Sequence, residues 1–549
     1  MLFSVPMRPW MRRILPTSIW NYVNLTVYGW EFHEKLRPFQ EYAAPQGNPK
    51  SYLLAGCGTL EFWTCDPEVA HEILRRPRDF HQHHLTGLFM GVFGHNILTD
   101  NGDQWARQRK IVASVITERI SKSVFEESVR QTRGMIQEVL SAAPSSPQPE
   151  ASSATSNNLF DMIKKITIHV LSGAGMGANV PWKNEDGEKP PPGYKMTYIE
   201  SAKVVMESVT GPIILPPLLL AWWPSWFPGY KKMQQLGIAK REFPKHTELL
   251  LDEERQRTSD KSIGRSNIMS QMIQASEQDP GAEKAVTLSQ EEMIGNLFIF
   301  TAAGFETTAN SLSYALALLA KYPKWQDWLI EEVDGILPDK EQQELSYTAV
   351  HPRATRILAF MFETLRLYTP VVHLTKENIT PQTIPTSRGP ICLPAGTSIY
   401  IDNIALHLDA EVWRDLNRGS DPDFVRNSAT TTTLDDEFVF RPSRWLNAPG
   451  SPQPHFQPPR GAFIPWSAGP RVCPGQKMAQ VEFAAVLLTL LHRHRVEAAP
   501  AFAGETQQQV EDRLEAQLND SMSILTLQMN GVYDAGEKGG LPMRLSQRV

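Results

Sequence analysis

The stretch 289–321 restricts the fold of this chain more than any other feature of its sequence. It predicts one long helix, because Ser289 and Glu292 form a capping-box start and Pro323 marks the end. At about 1.5 Å per residue such a helix is roughly 50 Å long. Its middle, residues 297–305, is apolar on all sides, so other elements must surround it. We therefore expect a large, mainly helical domain.

Short strand-like segments add a minor β portion. The predicted strands are a hairpin at 51–63, a strand at 397–403, and an alternating strand at 521–529 that ends at the turn signal Asn530-Gly531. Surface loops are expected at 414–434 and 447–461. No internal repeat and no linker between two cores is visible, which favours a single domain.

Cys473 is the residue that carries the most chemical information. It precedes the apolar helix pattern 477–493, and a cysteine at a helix N-terminus is biased toward the thiolate. Arg471 acts in the same direction, while Gly469 and Gly475 permit a tight backbone that can approach a flat group. The alternative for a lone cysteine is a small buried core residue. Thiolate, cation and close backbone together favour a ligand of a heme iron.

Polar residues interrupt the long helix at one place. Glu306, Thr307 and Thr308 follow Gly304 inside the stretch that we expect to be buried, where unpaired polar groups are costly. A threonine hydroxyl can bond to the carbonyl four residues earlier and bend a helix, so a groove can open at Gly304. Two interpretations remain: a kink with satisfied hydroxyls, or a groove that seats dioxygen and a water.

The loop Trp466-Ser-Ala-Gly-Pro-Arg-Val-Cys-Pro-Gly475 resembles the heme-binding loop of the cytochrome P-450 superfamily. Trp466 stands where most members have Phe, a form typical of the filamentous-fungal branch. The resemblance covers about residue 40 to the C-terminus. It implies one P-450 fold, mainly α with minor β, with a long central distal helix, a proximal Cys loop and small β-sheets. Residues 1–40 would be an N-terminal segment, membrane-associated or a vestigial anchor, and residues 41–549 the catalytic domain.

The resemblance also gives a meaning to a predicted helix at 352–368. Glu363 and Arg366 lie three residues apart and share a face, which alone indicates no more than a surface ion pair. Their neighbours are apolar, however, and a buried pair needs a third group to fill its donors and acceptors. Arg444 resembles that third member, although Ser443 stands where the family often has Glu. We expect a structural triad that locks the proximal side.

Heme b with an axial thiolate is the cofactor that the resemblance implies, with Cys473 as ligand. Trp105 and Arg109 lie one helical turn apart, an arrangement that suits a heme propionate; an exposed amphipathic face is the alternative. Arg471 would hold the other propionate. Lys376 stands where many members have arginine, and it would be a further propionate contact.

On the distal side, the resemblance assigns proton delivery to the polar group of the long helix. Thr307 would organise a water, Glu306 would relay protons, and Gly304 would open the groove. The implied function is a monooxygenase that inserts one atom of O2 into a hydrophobic small molecule, by hydroxylation, epoxidation or desaturation, in fungal secondary metabolism. The alternatives are a heme-thiolate isomerase or dehydratase that does not use O2, and a non-catalytic heme-binding protein.

Electrons must come from another protein. Residues 173–178 fit a loosened dinucleotide fingerprint, but neither a preceding strand nor a following helix is predicted there. With no flavin or nicotinamide site visible, we expect an NADPH-dependent cytochrome P-450 reductase as partner, docked near Lys477, Arg493 and Arg495. The net charge of −6 argues against nucleic acid as a partner.

Membrane contact is expected at the segment 211–227. Its tryptophans are typical of a bilayer interface, whereas its prolines prevent a spanning helix. The alternative is a loop packed on the core or over a substrate entrance. No run of about 18 apolar residues occurs, so no ordinary transmembrane helix is predicted. The resemblance implies the cytoplasmic face of the endoplasmic reticulum membrane, with peripheral or anchored attachment.

Overall fold

The helices carry most of the fold. The computed structural model describes residues 14–23, 25, 29–56, 58–141, 153–178, 180–183, 189–208, 212–227, 229–259, 267–277, 287–339, 345–414, 436–447, 450–523, 525–533 and 540–548. The α-helices are α1 (Thr17–Val23), α2 (Glu31–Glu34), α3 (Pro67–Arg75), α4 (His84–Met90), α5 (Gly102–Val115), α6 (Glu118–Ser141), α7 (Leu159–Val170), α8 (Tyr198–Glu207), α9 (Pro217–Ala221), α10 (Tyr230–Ser259), α11 (Ile268–Glu277), α12 (Gln290–Lys321), α13 (Pro323–Ile336), α14 (Tyr347–Val350), α15 (Thr355–Leu367), α16 (Asn403–Leu406), α17 (Ala410–Trp413), α18 (Gln476–Arg493) and α19 (Gln507–Asn519).

Small sheets complete the architecture. The strands are β1 (Ser51–Gly56), β2 (Thr59–Thr64), β3 (Phe80–Gln82), β4 (Ser153–Ser156), β5 (His373–Asn378), β6 (Gln382–Ile384), β7 (Ile391–Leu393), β8 (Ser398–Asp402), β9 (His494–Ala498), β10 (Ser521–Ser523), β11 (Leu527–Met529) and β12 (Met543–Gln547). One sheet has the order β1-β2-β8-β5-β3 and another the order β4-β12-β9, while β6-β7 and β10-β11 form separate pairs. The predicted hairpin at 51–63 and strand at 397–403 are confirmed as β1-β2 and β8.

The long central helix is confirmed as α12. Ser289 is its N-cap and forms the capping box with Glu292, because each side chain bonds the backbone of the other. The helix packs against α7, α8, α10, α13, α15, α18 and α19. Most of its side chains are buried, among them Phe298, Leu312 and Leu316 at 0% exposure. The main hydrophobic core therefore forms around α12.

A second hydrophobic cluster lies in the β1-β2-β8-β5-β3 sheet and contains residues from the start of the chain. Trp30 and Phe39 are buried there, and the ring of Trp63 stacks on Tyr400 with centroids 4.4 Å apart. Glu31 on α2 is also fully buried and bonds His373 at the start of β5. The segment 29–40 thus packs onto the rest of the fold.

Some predicted boundaries were wrong. The helix expected from residue 352 begins at Thr355, because His351–Arg353 form a 3-10 turn. The segment 521–529 is two short antiparallel strands that pair Ser521 with Met529, so the hairpin turn falls within the segment rather than after it. Most of the expected loop 414–434 lies outside the described residues. Of the loop 447–461, residues 450–461 contain no helix or strand except a bridge from Leu446 to His455.

Among the residues described, none of the helices has the length and apolar character needed to cross a membrane.

Candidate active site

Cys473 lies in a tight loop between the 3-10 turn Gly469–Arg471 and the start of α18. Its N–H donates to the carbonyl of Trp466 at 2.8 Å. The thiol remains accessible, although it lies deep among protein atoms. Burial raises its pKa, while the N–H groups of Gly475 and Gln476 and the cation of Arg109 lower it, and the net shift is upward. Burial thus outweighs the groups that favour the thiolate; a metal cation bound to the sulfur would deprotonate it.

The glycines of this loop serve different purposes. Gly469 has φ +67°, and a Cβ there would lie 2.4 Å from the carbonyl oxygen of Leu74 at the end of α3. The close approach of Gly469 is thus to another backbone. A Cβ at Gly475 would lie 3.8 Å from Sγ of Cys473, which is ordinary contact. Ser467 also has a positive φ, 61°, a strained conformation that the sequence did not reveal.

Cations collect around this loop without carboxylate partners. Arg471 donates to the carbonyl of Asp100 at 2.7 Å and lies 4.4 Å above the ring of Trp105, yet its buried Nε has no hydrogen-bond partner. Burial and the nearby Arg471 lower the pKa of Lys376 to about 7. No carboxylate within the described ranges forms an ion pair with Arg471, Lys376 or Arg109. Uncompensated cations beside an accessible thiol fit an anionic group that carries a metal, as heme with its two propionates does.

Arg109 and Cys473 also line a cavity of about 300 Å³ between α5 and the start of α18. The remaining lining residues are Ala113, Ile116, Pro474, Gln476, Lys477 and Gln480. Burial lowers the pKa of Arg109, and the nearby Cys473 opposes that shift. Trp105 and Arg109, which were predicted to act as a pair, therefore contact different residues. Trp105 packs on Arg471, while Arg109 lies beside Cys473.

The middle of α12 opens at the predicted polar group. Ala303 is exposed, and Gly304, Glu306 and Thr307 are half-buried, whereas most of the surrounding turns are buried. The hydroxyl of Thr307 donates to the carbonyl of Ala303 at 2.7 Å, and that of Thr308 to Gly304 at 3.1 Å. Both threonines therefore bond back along the helix, and only Thr307 is on the accessible side.

Glu363 lies at the centre of a buried network that joins α15 to the chain around residue 440. Arg366 donates to both carboxylate oxygens at 2.8 and 2.9 Å, and Nε of Arg444 donates at 2.9 Å. The N–H of Arg441 and the indole N–H of Trp445 add two bonds of 2.9 Å each. Burial alone would raise the pKa of Glu363, but Arg366 and Arg444 hold it at about 2. The structure brings together all three residues of the predicted triad.

Two further parts of this framework were missed from the sequence. Asp436 is buried and pairs with Arg441 at 2.7 Å and with Arg444 at 3.2 Å. The acidic run before Phe440 was the available signal, but nothing local distinguishes it from a solvated loop.

The second missed part is a buried amide chain. The side-chain amide of Asn296 on α12 donates to that of Gln108 on α5 at 2.7 Å. Gln108 in turn donates to the carboxylate of Asp100, and the backbone carbonyl of Asp100 accepts from Arg471. This chain connects the long helix to the cysteine loop.

Comparisons with known proteins agree with this geometry. A family model described as Cytochrome P450 matches residues 16–417 and 435–516. A "Phomenoic acid biosynthesis cluster cytochrome P450 monooxygenase" of Leptosphaeria maculans is 42% identical over 546 residues, which cover 98% of this chain and 90% of that protein. "Cytochrome P450 monooxygenase 124" of Postia placenta is 27% identical and covers 87% of this chain and 81% of its own. A cytochrome P450 crystal structure aligns with a TM-score of 0.63 at 16% identity over 92% of this chain and 93% of its own.

Proposed function

The chain belongs to the cytochrome P450 family, and from this premise we propose how its own residues serve the reaction. It is a heme-thiolate monooxygenase that acts on a small molecule with O2 and a redox partner. A bound heme would supply dioxygen activation: one oxygen atom would enter the substrate, and two electrons from the redox partner and two protons would reduce the other to water. The observation that carries the assignment is the accessible thiol of Cys473 with two backbone N–H groups and Arg109 directed toward it.

On the proximal side, the sulfur of Cys473 would bind the heme iron, and the cations around it would hold the propionates. Arg471 has a free, buried Nε for this purpose, and Arg109 and Lys376 add positive charge without a carboxylate of their own. A propionate beside Lys376 would favour the protonated, positively charged form of this lysine, which burial disfavours. Trp105 orients Arg471 through its ring.

Other residues of the loop would shape this site without holding charge. Trp466 anchors the loop by accepting the N–H of Cys473. Gly475 lets the loop approach the cofactor, and Gly469 fixes its turn. Glu363, Arg366 and Arg444 keep the proximal framework rigid and do not touch the reacting atoms.

On the distal side, Thr307 holds a water within reach of its hydroxyl, and Glu306 passes protons toward it. The hydroxyl of Thr307 bonds a carbonyl of its own helix and is therefore fixed in orientation. Gly304, on the same accessible turn, leaves room for the water.

The test is Thr307→Ala, with Thr308→Ala as the matched control. Both hydroxyls make the same kind of bond along α12, but Thr308 is buried at 5% exposure and faces away from the groove. Loss of the Thr307 hydroxyl is expected to divert reductant into hydrogen peroxide several-fold more than in the control. Equal coupling of reductant to product in the two variants would refute the relay.

The proposed substrate is a hydrophobic small molecule of a fungal biosynthetic pathway, and the relative of Leptosphaeria maculans, whose name places it in a biosynthesis cluster, supports the pathway. An isomerase or dehydratase would form product without O2 or reductant, and a heme-binding protein would form none. Product formation by the purified protein under argon, or its absence with every reductase, would favour these alternatives.

The redox partner is an NADPH-dependent cytochrome P-450 reductase. Arg495 is paired with Asp327 on α13 and is less available to dock a partner. Lys477 lies in the cavity beside Cys473 and is the better contact for an acidic surface. Lys477→Glu should slow the first electron transfer without changing the heme spectrum; an unchanged rate would place the partner elsewhere.

Membrane contact is assigned to the segment 211–227. Trp222 and Trp226 are 84% and 81% exposed, and Leu218 is 68% exposed, which forms an apolar surface suited to a bilayer interface. Lys240 on α10 holds the base of this loop by donating to two of its carbonyls. Of the segment 1–40, residues 29–40 pack on the catalytic domain 41–549, so only the residues before them would add an N-terminal membrane contact, at the cytoplasmic face of the endoplasmic reticulum.

Vesicle co-sedimentation tests this assignment. The double variant Trp222→Ala/Trp226→Ala should lose most of its membrane binding. Phe502→Ala, which removes another side chain at 60% exposure outside the segment, should retain it. Equal binding by the two variants would exclude the segment as the main contact.

A further inference from the structure

Three metal-ligating side chains meet where β3 ends and α4 begins. His83, His84 and Glu377 each offer one ligand atom, and these atoms lie within 4.8 Å of one another. Nδ1 of His84 is 2.8 Å from a carboxylate oxygen of Glu377 on β5. This group lies outside the heme-binding residues assigned above.

The two imidazoles are held together in a form that suits metal binding. Their rings stack with centroids 4.3 Å apart. His83 is buried, so its ring is held in one position beside that of His84. Nε2 of His83 is 3.1 Å from the hydroxyl of Ser398 on β8. A second partner of this kind holds the ring of a ligating histidine in a fixed orientation.

The site is open to solvent on one side only. His83 is 4% exposed, while the side chain of His84 is 69% exposed and that of Glu377 is 25% exposed. An ion can therefore arrive from solvent and bind against a buried ligand. Nδ1 of His83 accepts the N–H of Leu85 at 3.2 Å and so caps the start of α4; an ion bound at Nδ1 would replace this bond.

A second histidine–carboxylate pair shows what is distinctive here. His95 and Asp100 make the same 2.8 Å bond, and the side chain of His95 is 63% exposed. Within the described residues, that pair does not belong to a three-ligand group. A histidine–carboxylate hydrogen bond can thus form without a second histidine nearby. The additional imidazole of His83 is what distinguishes the proposed site.

We propose that His83, His84 and Glu377 bind a divalent zinc ion, with water completing the coordination. Two imidazoles and one carboxylate match the ligand preference of Zn²⁺, with expected bond lengths of about 2.0–2.2 Å. Ca²⁺ and Mg²⁺ prefer oxygen ligands and are disfavoured. The ion would tie α4 to β5. Because no residue of α4 is fully buried, this link would add to the contacts that Phe89 and Met90 make with the main core.

Zinc titration of the heme-loaded, untagged protein tests the proposal. Cys392 is exposed, and an accessible thiol binds zinc by itself, so Cys392→Ser is used as the common background. One zinc ion should bind per chain, and its X-ray absorption edge should show nitrogen and oxygen neighbours without sulfur. Zinc should also raise the unfolding temperature.

Variants separate this site from adventitious binding. His84→Ala and Glu377→Gln change accessible side chains, and each should weaken zinc binding by about tenfold or more. His95→Ala removes a histidine of matched exposure and pairing, and it should leave the affinity unchanged. Equal affinities in all variants, or no stoichiometric binding by the parent protein, would overturn the proposal. Neither readout depends on turnover, so failure here would leave the monooxygenase assignment intact.

Discussion

The proximal and distal sides of the active site are held in place in opposite ways. On the proximal side, the carboxylate of Glu363 is fully buried and accepts five hydrogen bonds from four residues, three of them about 80 positions further along the chain. On the distal side, Thr307 bonds only a carbonyl of its own helix and remains accessible. Long-range contacts thus fix one side, and one helix shapes the other.

This difference teaches where stability and chemistry reside. A buried charge network loses its balance when one member is removed, because the remaining charges stay desolvated. A hydroxyl that bonds within one helix can be removed without leaving a buried charge behind. Proximal substitutions should therefore change the free energy of unfolding, and distal substitutions should change mainly the reaction.

The largest effect is expected for Glu363→Gln. The amide leaves Arg366 buried without a carboxylate and Arg444 with Asp436 alone, which should lower the free energy of unfolding by about 3–5 kcal/mol. Denaturant unfolding of the heme-loaded protein measures this loss. The matched control is Glu331→Gln, whose ion pair with Arg356 is exposed and is worth less than about 1 kcal/mol. Similar losses in both variants would show that the buried proximal network contributes no more to stability than an exposed ion pair does.

The same network predicts a pH dependence of stability. Because the pKa of Glu363 is held at about 2, below its ordinary value of 4.5, the ionised carboxylate favours the folded state. This contribution is complete above pH 4.5 and is lost as the pH falls from 4.5 toward 2. Its size is on the order of 3 kcal/mol. Unfolding free energies across this window should fall more steeply for the native protein than for Glu363→Gln; parallel curves would contradict the assignment.

Local patterns explain how much of this site could be predicted from the sequence. The start of α12 follows from a capping box between Ser289 and Glu292, and the pairing of Glu363 with Arg366 follows from their helical spacing. The cysteine loop was recognised from ten consecutive residues. Each of these signals comes from residues that are close together in the sequence.

The remainder depended on contacts between distant segments. Asp436 looks like one member of an acidic loop until the fold places it against Arg444. Gly469 was expected to permit a close approach, but the sequence did not indicate that Leu74, almost 400 positions earlier, lies against it. The helix-terminus argument for Cys473 also omitted burial, which raises the pKa of the thiol. Sequence spacing does not report any of these distances.

A smaller proximal effect is expected for Gly469→Ala. The positive φ of +67° costs a residue with a Cβ about 1–2 kcal/mol, and the overlap with the carbonyl of Leu74 adds to that cost. We expect a loss of at least about 2 kcal/mol in unfolding free energy. Gly335→Ala on α13 is the control, because a Cβ there meets nothing within 4 Å and should be tolerated. A neutral Gly469→Ala would mean that the loop can shift away from α3.

The smallest effect on stability, with the opposite sign, is expected for the distal Gly304→Ala. A Cβ at Gly304 would meet only Leu171, at 3.6 Å, which is ordinary contact, and glycine within a helix costs about 0.5–1 kcal/mol relative to alanine. The variant should therefore unfold at a slightly higher denaturant concentration. If its methyl group narrows the groove beside Thr307, coupling of reductant to product should fall at the same time. A more stable protein with poorer coupling would mean that Gly304 is kept for the reaction, whereas destabilisation would mean that the distal helix is as tightly packed as the proximal framework.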